Sequence, residues 1–494
     1  MARPLVPLEI HSPGVLGLNK QGGDGILPMG WATVANNMVF NSVGRLASRK
    51  GTQDRLLAAN NFSGTGTVGH EYIDASNSRS VIYVDDTAIY EESGSGVNDL
   101  TNSMTVVPYK FVNFNGSCVG HHPDNAPIEA TTVGGNFSLA SGTQVNGNDV
   151  LAAWGRLWVI DSSVNTLYYS DLLINTFAGG SSGSFDLAIY WPNGMDSALA
   201  IAEWNDYLVV FGRKSIIIYE NPDDPTVSMA IADIIEGIGC ISRDSIQQVG
   251  SDLVFLSGSG VRSLGRVVQE KSLPQRDISR NVRDYIVSLS SAEGTPSPTC
   301  TVKSLYSEDE RFYLLSFKDC GVVMCFDMSQ RLEDGSYRAT EWELSITDMF
   351  VLQDRTVVLI TSDGTNSQAA NYTGYLDSVL YDGSGGDTYD IDYEGVWNDF
   401  GQDIGHREKI LKSVTTLIGG TNGDTVTVKW AVDYTDEFTS IGISFPKINN
   451  AAAGVKRPMS KSGEVVKIGL ESTIYGTEKT LKRFNIMAKL GRYV

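Results

Sequence analysis

The chain has 494 residues, too many for one ordinary compact core. Its 51 glycines, 9% aromatic content and only 19% charged residues describe a turn-rich protein with many short apolar segments, which excludes a disordered chain and a helical-repeat array. Lysine and arginine number 38 against 58 acidic residues, a net charge of −20 spread along the chain, so tight electrostatic binding to a phosphate backbone is disfavoured.

The N-terminus, Met1-Ala-Arg-Pro-Leu-Val-Pro, lacks a sustained apolar region, and no run of about eighteen apolar residues occurs. These features imply a soluble protein without a secretion signal or membrane insertion. Cys118, Cys240, Cys300, Cys320 and Cys325 are odd in number and scattered, which suits reduced thiols in a protein made in a cytoplasm.

From residue 78 onward one unit recurs: a short polar turn, an alternating apolar strand, then often a second turn and strand. Its copies begin at Ser78-Arg79, Asn115-Gly116, Gly155-Arg156, Asn205-Asp206, Ser251-Asp252, Glu310-Arg311 and Asp354-Arg355. The strands that follow start at Val81, Cys118, Leu157, Leu208, Leu253, Phe312 and Val357, with spacings of 37, 39, 51, 45, 59 and 45 residues. That period suits one four-stranded propeller blade plus loops. Asn- and Gly-containing turns accept the positive φ that tight reversals need, and the apolar runs read as strands buried on both faces. An ordinary β-sandwich is the competing architecture, but the repeat persists over nearly three hundred residues.

Two longer intervals hold insertions, at 171–195 and 265–299. The first contains a flexible stretch, Ala178-Gly-Gly-Ser-Ser-Gly-Ser184. In the second, Ile278, Val282, Tyr285 and Ile286 fall at i, i+4, i+7 and i+8, predicting one short amphipathic helix, the only notable one of the propeller. After Tyr375 comes a loop, Asp382–Asp387, and then half-exposed strands at Thr425–Trp430, Val465–Ile468 and Phe484–Ala488. The expected fold is therefore all-β: a propeller of six or seven blades with an additional C-terminal β domain. The expected division is an N-terminal segment at 1–52, the propeller at 53–380 and a sandwich-like C-terminal domain at 381–494.

Catalytic signals are weak. Cys118, His121, His122 and Asp124 have zinc-ligand chemistry but lack a second spaced pair, and read as polar loop residues after a strand. Cys320 and Cys325 flank Gly321 in a hairpin and read as buried thiols. Gly179-Gly-Ser-Ser-Gly183 has the Gly-x-Ser-x-Gly form without the strand and helix that a nucleophile elbow requires. Asp390, Asp392 and Glu394 open like a calcium loop, but Gly401 stands where the bidentate Glu belongs; a strand with Tyr389, Ile391 and Tyr393 inward is simpler. No phosphate loop or dinucleotide fingerprint occurs, and no catalytic, cofactor or metal residue is assigned.

Three early segments carry a family resemblance: Ser12–Gln21, Leu27–Phe40 with Asn36-Asn37 before Met38-Val39, and Gly44–Gly51 ending Arg49-Lys50-Gly51. Further matches are Trp154–Val159, Leu167–Ser170, Leu208–Tyr219, the segment Ile278–Val287 and the close Thr480–Ile486. Together they resemble the tail hub and nozzle proteins of short-tailed bacteriophages. The resemblance implies a non-enzymatic virion component assembled in the host cytoplasm, a homohexameric ring below the portal and the head-to-tail adaptor. It also implies contacts to tail fibres or tailspikes and to a distal plug or needle, and a channel that retains and then conducts DNA without specific binding. Six copies would carry about −120 (6 × −20), and a like-charged channel lets DNA slide. The alternative is a carbohydrate-binding or carbohydrate-cleaving propeller of a virion, such as a sialidase-like domain, for which Thr361-Ser-Asp-Gly-Thr365 is one incomplete Asp-box. A Trp-Asp-repeat scaffold lacks its recurring dipeptides here.

Overall fold

The computed structural model describes residues 5–493 apart from 26, 57–61, 65, 103, 195, 271–276, 291–300, 378–387, 402–403, 421–423 and 446–452. Cys300 and the expected loop at 382–387 lie outside the described residues.

The repeat folds as a β-propeller. Six blades stand as separate antiparallel sheets, at 68–99, 110–139, 149–186, 198–236, 247–263 and 346–372. The strands at 302–343 form a further blade, between the fifth and sixth of these in chain order, whose outer edge runs on into another sheet. In the text below, blades 1 to 7 follow chain order, so 302–343 is blade 6 and 346–372 blade 7. The apolar runs starting at Val81, Cys118, Leu157, Leu208, Leu253, Phe312 and Val357 are the second strands of these seven units.

The reason those strands announce themselves is that both of their faces are covered. In Tyr207–Gly212, Leu208 and Val210 pack on Trp158, Ile160 and Leu167 of blade 3. The alternate residues Val209 and Phe211 pack on Leu253 and Phe255 of blade 5. Each such buried side chain contributes about 1.5–3 kcal/mol. The turns before the second strands need left-handed backbone, supplied at Asn77, Asn115, Trp154, Asn205, Gly250, Arg311 and Arg355 with φ of 60°, 47°, 51°, 46°, 63°, 58° and 70°. Asn and Gly accept this readily; Trp154, Arg311 and Arg355 do so under strain.

Blade 5 has three strands and is flanked by helices. The expected helix is present as a 3-10 turn, Arg280–Val282, leading into α2, Arg283–Ser290, and Ile278, Val282 and Ile286 are buried against Val254, Leu256 and Tyr313. A second helix, α1 at Leu264–Glu270, escaped the sequence reading. The stretch 178–184 is not a free linker. Asp171 Oδ1 accepts the Ser181 amide and hydroxyl at 3.1 and 2.9 Å, which pins the loop, and Gly183–Asp186 becomes the outer strand of blade 3.

The C-terminal body is a sandwich of two sheets. One contains Leu5–His11, Thr480–Tyr493, Arg407–Gly419, Ala453–Pro458, Leu46–Ser48 and Met38–Phe40. The other contains Gly17–Leu18, Trp31–Asn36, Tyr389–Gly395, Val466–Ile474, Thr425–Val432 and Thr439–Ser444, and is continuous with blade 6 through Tyr337–Glu343. Residues 5–48, expected as an N-terminal segment, thus supply strands to both sheets. Leu8, Ile10, Met38, Tyr393, Val414, Val428, Trp430, Leu470 and Phe484 share its core. Thr52–Asp54 and Phe62–Ser63 then pair with Asn366–Tyr372, so an early strand closes the last blade.

Candidate functional site

Among the described residues, polar side chains converge at the propeller axis and at the seam between propeller and sandwich. At the axis a cavity of about 420 Å³ opens between the inner edges of blades 1, 2, 5, 6 and 7. Inner strands contribute His70, Lys110, Lys303 and Asp348, and the 3-10 turn Arg243–Ser245 contributes Arg243 and Asp244. Asp244 is the hub, with Lys303 at 3.0 Å, Lys110 at 3.1 Å and Arg243 at 3.5 Å. Lys303 also meets Asp348 at 3.5 Å, and Asp348 accepts the Gly69 amide at 2.9 Å. These pairs tie blades 1, 2, 5, 6 and 7 across the axis. Burial works to raise the Asp244 carboxyl, but Lys303, Lys110 and Arg243 outweigh it and hold the group well below the usual carboxylate range. Burial likewise opposes charge on Lys303, and the two aspartates overcome it and push its ammonium up. His70 has no carboxylate to offset burial, and its imidazole drops to about 4.

The turn carrying Asp244 is held from behind. Tyr313 donates to the Ser245 carbonyl at 2.8 Å, Ser304 Oγ to the Asp244 carbonyl at 2.7 Å, and Gln247 Nε2 to the Ser304 carbonyl at 3.0 Å. The axial charges are therefore fixed in position.

The seam is organised by residues of the early chain. Asn37, at φ 54°, turns the chain between Trp31–Asn36 and Met38–Phe40. Its side chain donates to the Asp390 carbonyl at 2.8 Å and accepts Arg49 Nε at 3.0 Å. Arg49 forms a two-pronged pair with Asp377 at 2.9 and 2.6 Å, with side chains 0% and 1% exposed, and lies over the Tyr389 ring at 4.1 Å. Gly51 follows because a Cβ there would stand 1.8 Å from the Leu376 carbonyl oxygen. Beside this lock is a cavity of about 310 Å³ lined by Lys50, Glu310, Arg311, Tyr372, Tyr375 and Glu478 among others. Tyr375 donates to Glu478 at 3.1 Å, and Lys50 pairs with Glu310.

The residues singled out by sequence are dispersed. Strand alternation sends Cys118 into the core with Ile82 and Ile128 and His121 to the opposite face beside Phe177, while His122 turns to the Asp124 amide at 3.1 Å. Burial pushes the Cys118 thiol up and the His121 imidazole down to about 4. Among the described residues no three His, Cys, Asp or Glu side chains gather as a metal site would require. Cys325 is buried, but Cys320 is exposed in the turn Lys318–Cys320, which corrects the reading of both as buried. In the Gly-Gly-Ser-Ser-Gly stretch Ser181 faces Asp171 within its own loop. Tyr389, Ile391 and Tyr393 point inward as expected, and Lys429 gathers Asp392, Glu394 and Glu471 at 2.8–2.9 Å on the outer face. Asp363 of the incomplete Asp-box receives the Thr365 and Asn366 amides at 2.8 and 2.7 Å, an ordinary capped turn of blade 7. The axial set was missed because its members are up to 278 residues apart, His70 to Asp348, and no local pattern joins them. The Arg49 lock left a faint signal in the Arg-x-Gly triplet.

No protein-family model matches the chain, and no curated protein sequence does. Among solved structures it is similar to the computationally designed Ika8 protein, with 14% identity over 65% of this chain and 99% of that one, TM-score 0.37. It is similar to the AfRom2 CNH domain at 9% identity over 63% and 96%, TM-score 0.39. An exo-β-1,3-galactanase from Phanerochaete chrysosporium aligns at 11% identity over 92% and 99%, TM-score 0.26. At these scores the likenesses carry no argument about function.

Proposed function

We propose that the chain is a non-enzymatic structural subunit of a short phage tail, forming a hexameric nozzle or hub ring that extends the portal–adaptor channel, retains and then conducts the genome, and anchors fibres or spikes. The observation that carries this reading is that two of the early resembling motifs meet at the seam. Asn37-Met38 and Arg49-Lys50-Gly51 work there as one lock, so the pattern has a single mechanical reason to exist. On this reading the DNA path runs between copies. Among the described residues the axis of each propeller is crossed by the Lys110–Asp244–Lys303–Asp348 pairs, which stand in the way of a duplex.

Mass photometry of the purified chain, alone and with the tail adaptor, tests the reading. A ring of about 321 kDa (6 × 53.5 kDa) is the expected species. A 53.5-kDa species alone, under both conditions at micromolar concentration, sinks it.

A second reading, a carbohydrate-binding propeller, is favoured by the seam cavity, where Glu310, Glu478 and two tyrosines face one sugar-sized space. Glycan-array binding abolished by Glu478→Gln would establish it, and an array with no signal would remove it.

A further inference from the structure

The wall of the axial cavity carries more positive charge than the chain around it would suggest. Lys110, Arg243, Lys303 and Lys318 line it against Asp244 and Asp348, a balance of 4 − 2 = +2. Asp149 behind the wall lowers this to +1, but its carboxylate is engaged by the Val150 and Ile201 amides at 3.0 and 2.9 Å. The whole protein carries −20. A local positive well with low-dielectric walls concentrates anions.

The cations differ in what they can offer a ligand. Lys303 is held between two aspartates and is 13% exposed, whereas Lys110 and Arg243 share the single carboxylate Asp244 and are 38% and 24% exposed. The rest of the wall mixes aromatic and apolar residues, Tyr109, Phe111, Ile246, Met349 and Phe350 among them, with the polar Gln247, Thr301, Ser304 and Thr347. His70 stacks on Phe111 at 6.0 Å and its Nε2–H donates to Asn113 Oδ1 at 3.2 Å, which orients a flat ring on the wall of the well. A concavity of this size that sets a few convergent charged side chains, cations in excess, beside aromatic rings has the make-up of a small-molecule site.

We propose that the axial cavity binds a small organic oxyanion, a ring-sized body bearing one carboxylate or phosphate group, with the anion beside Lys110 and Arg243 and the body against Phe111 and Phe350. This stands apart from the tail reading, since each propeller would hold its own ligand whether or not copies assemble.

Calorimetric titration of the full chain with D-glucuronate, inorganic phosphate and neutral D-glucose tests it. Saturable binding of glucuronate or phosphate is expected, with glucose silent. Lys110→Gln and Arg243→Gln should each weaken binding about tenfold, and Lys110→Arg should retain it. Saturation by glucuronate alone assigns a carboxylate ligand, and by phosphate alone a phosphorylated one. The proposal is overturned if neither anion saturates by about 10 mM, if glucose binds equally, or if binding survives both glutamine variants unchanged. Should a glutamine variant unfold, the Lys110→Arg variant with and without Arg243→Lys gives the same reading, because loss of affinity in a folded double variant marks the anion contact.

Discussion

The propeller and the sandwich are both largely antiparallel β structure, the parallel pairings being those of Trp31–Asn36 with Gly17–Leu18 and with Tyr337–Glu343, yet they are assembled in opposite ways. Within a blade each strand pairs with its sequence neighbour across a short turn, as Leu157–Ile160 pairs with Leu151–Ala152 and Leu167–Tyr169. In the sandwich the partners come from the two ends of the chain: Leu5 opposite Lys489, Ala32 opposite Gly395. Local hairpins form at little loop-closure cost, and the sandwich has its own, as where Thr425–Trp430 pairs with Thr439–Ser444, but the pairings of its early strands must close loops of several hundred residues. Its early strands leave directly for Thr52–Asp54, the strand that completes blade 7. The sandwich therefore works as a clasp, tying both chain ends to the point where the propeller closes.

Breaking the clasp at its buried charge pair should have the largest effect. Arg49→Met leaves Asp377 enclosed without a countercharge, while Thr52 still presents its amide to that carboxylate at 2.9 Å. A loss of about 3–5 kcal/mol is expected in urea unfolding followed by tryptophan fluorescence. Adding Asp377→Leu should recover much of it. A loss below about 1 kcal/mol would show that the clasp does not depend on this pair.

Acid should separate the two regions. His121 is fully buried in blade 2, and burial lowers its imidazole from the ordinary 6.5 to about 4; His70 at the axis behaves alike. A histidine depressed in the folded state takes up its proton more readily when unfolded. Its neutral burial is therefore without penalty above about pH 6.5, and stability falls as the pH drops from there toward 4. The expected slope is about 1.4 kcal/mol per pH unit for each histidine, or about 3 kcal/mol at pH 4. In the sandwich His11 and His406 are exposed, with side chains 65% and 83% accessible. Hydrogen exchange at pH 5 against pH 7 should deprotect 110–139 and spare 466–474, and His121→Phe should flatten the dependence for blade 2. Equal loss in both regions would remove this distinction.

How much of each region could be read in the sequence follows from the same contrast. The blades were legible because Leu208–Phe211 and its counterparts are buried on both faces and begin after tight turns, four of the seven with Asn or Gly at the left-handed position. The strands of the sandwich were legible one by one, as at Thr425–Val432, but their partners were not, since alternation in Trp31–Asn36 says nothing of Tyr389–Gly395. Helix α1 was missed because seven residues give too little period to detect. Of the axial cavity nothing was visible: Lys110, Asp244, Lys303 and Asp348 are unremarkable in their local sequence and gain meaning only from the ring.

A milder probe of the clasp is Gly51→Ala. The glycine amide donates to the Gly374 carbonyl at 3.0 Å and its own carbonyl accepts the Thr373 amide at 3.0 Å, so the two segments lie too close for a methyl group. The strand must shift, at about 1–3 kcal/mol. Exchange protection should fall at Thr52–Asp54 and Asn366–Tyr372 while blades 2 to 4 keep theirs. Uniform destabilisation would mean that closure and the rest of the ring unfold together.

The smallest expected effect has the opposite sign and lies in the propeller's own turns. Arg311 stands at φ 58° in the turn of blade 6, a conformation that costs an L-residue about 1–2 kcal/mol relative to glycine's free access. Glycine loses more chain entropy on folding, about 0.5–1 kcal/mol. Arg311→Gly should therefore raise stability by up to about 1 kcal/mol, measurable as a small rise in the urea midpoint with an unchanged slope. The neighbouring Arg355, at φ 70°, is a weaker choice because its exposed pair with Asp309 at 2.9 Å would be lost and offset part of the gain. If Arg311→Gly destabilises instead, the side chain does something at the rim of the seam cavity that outweighs the backbone strain, and the boundary between blade turn and clasp would have to be drawn to include it.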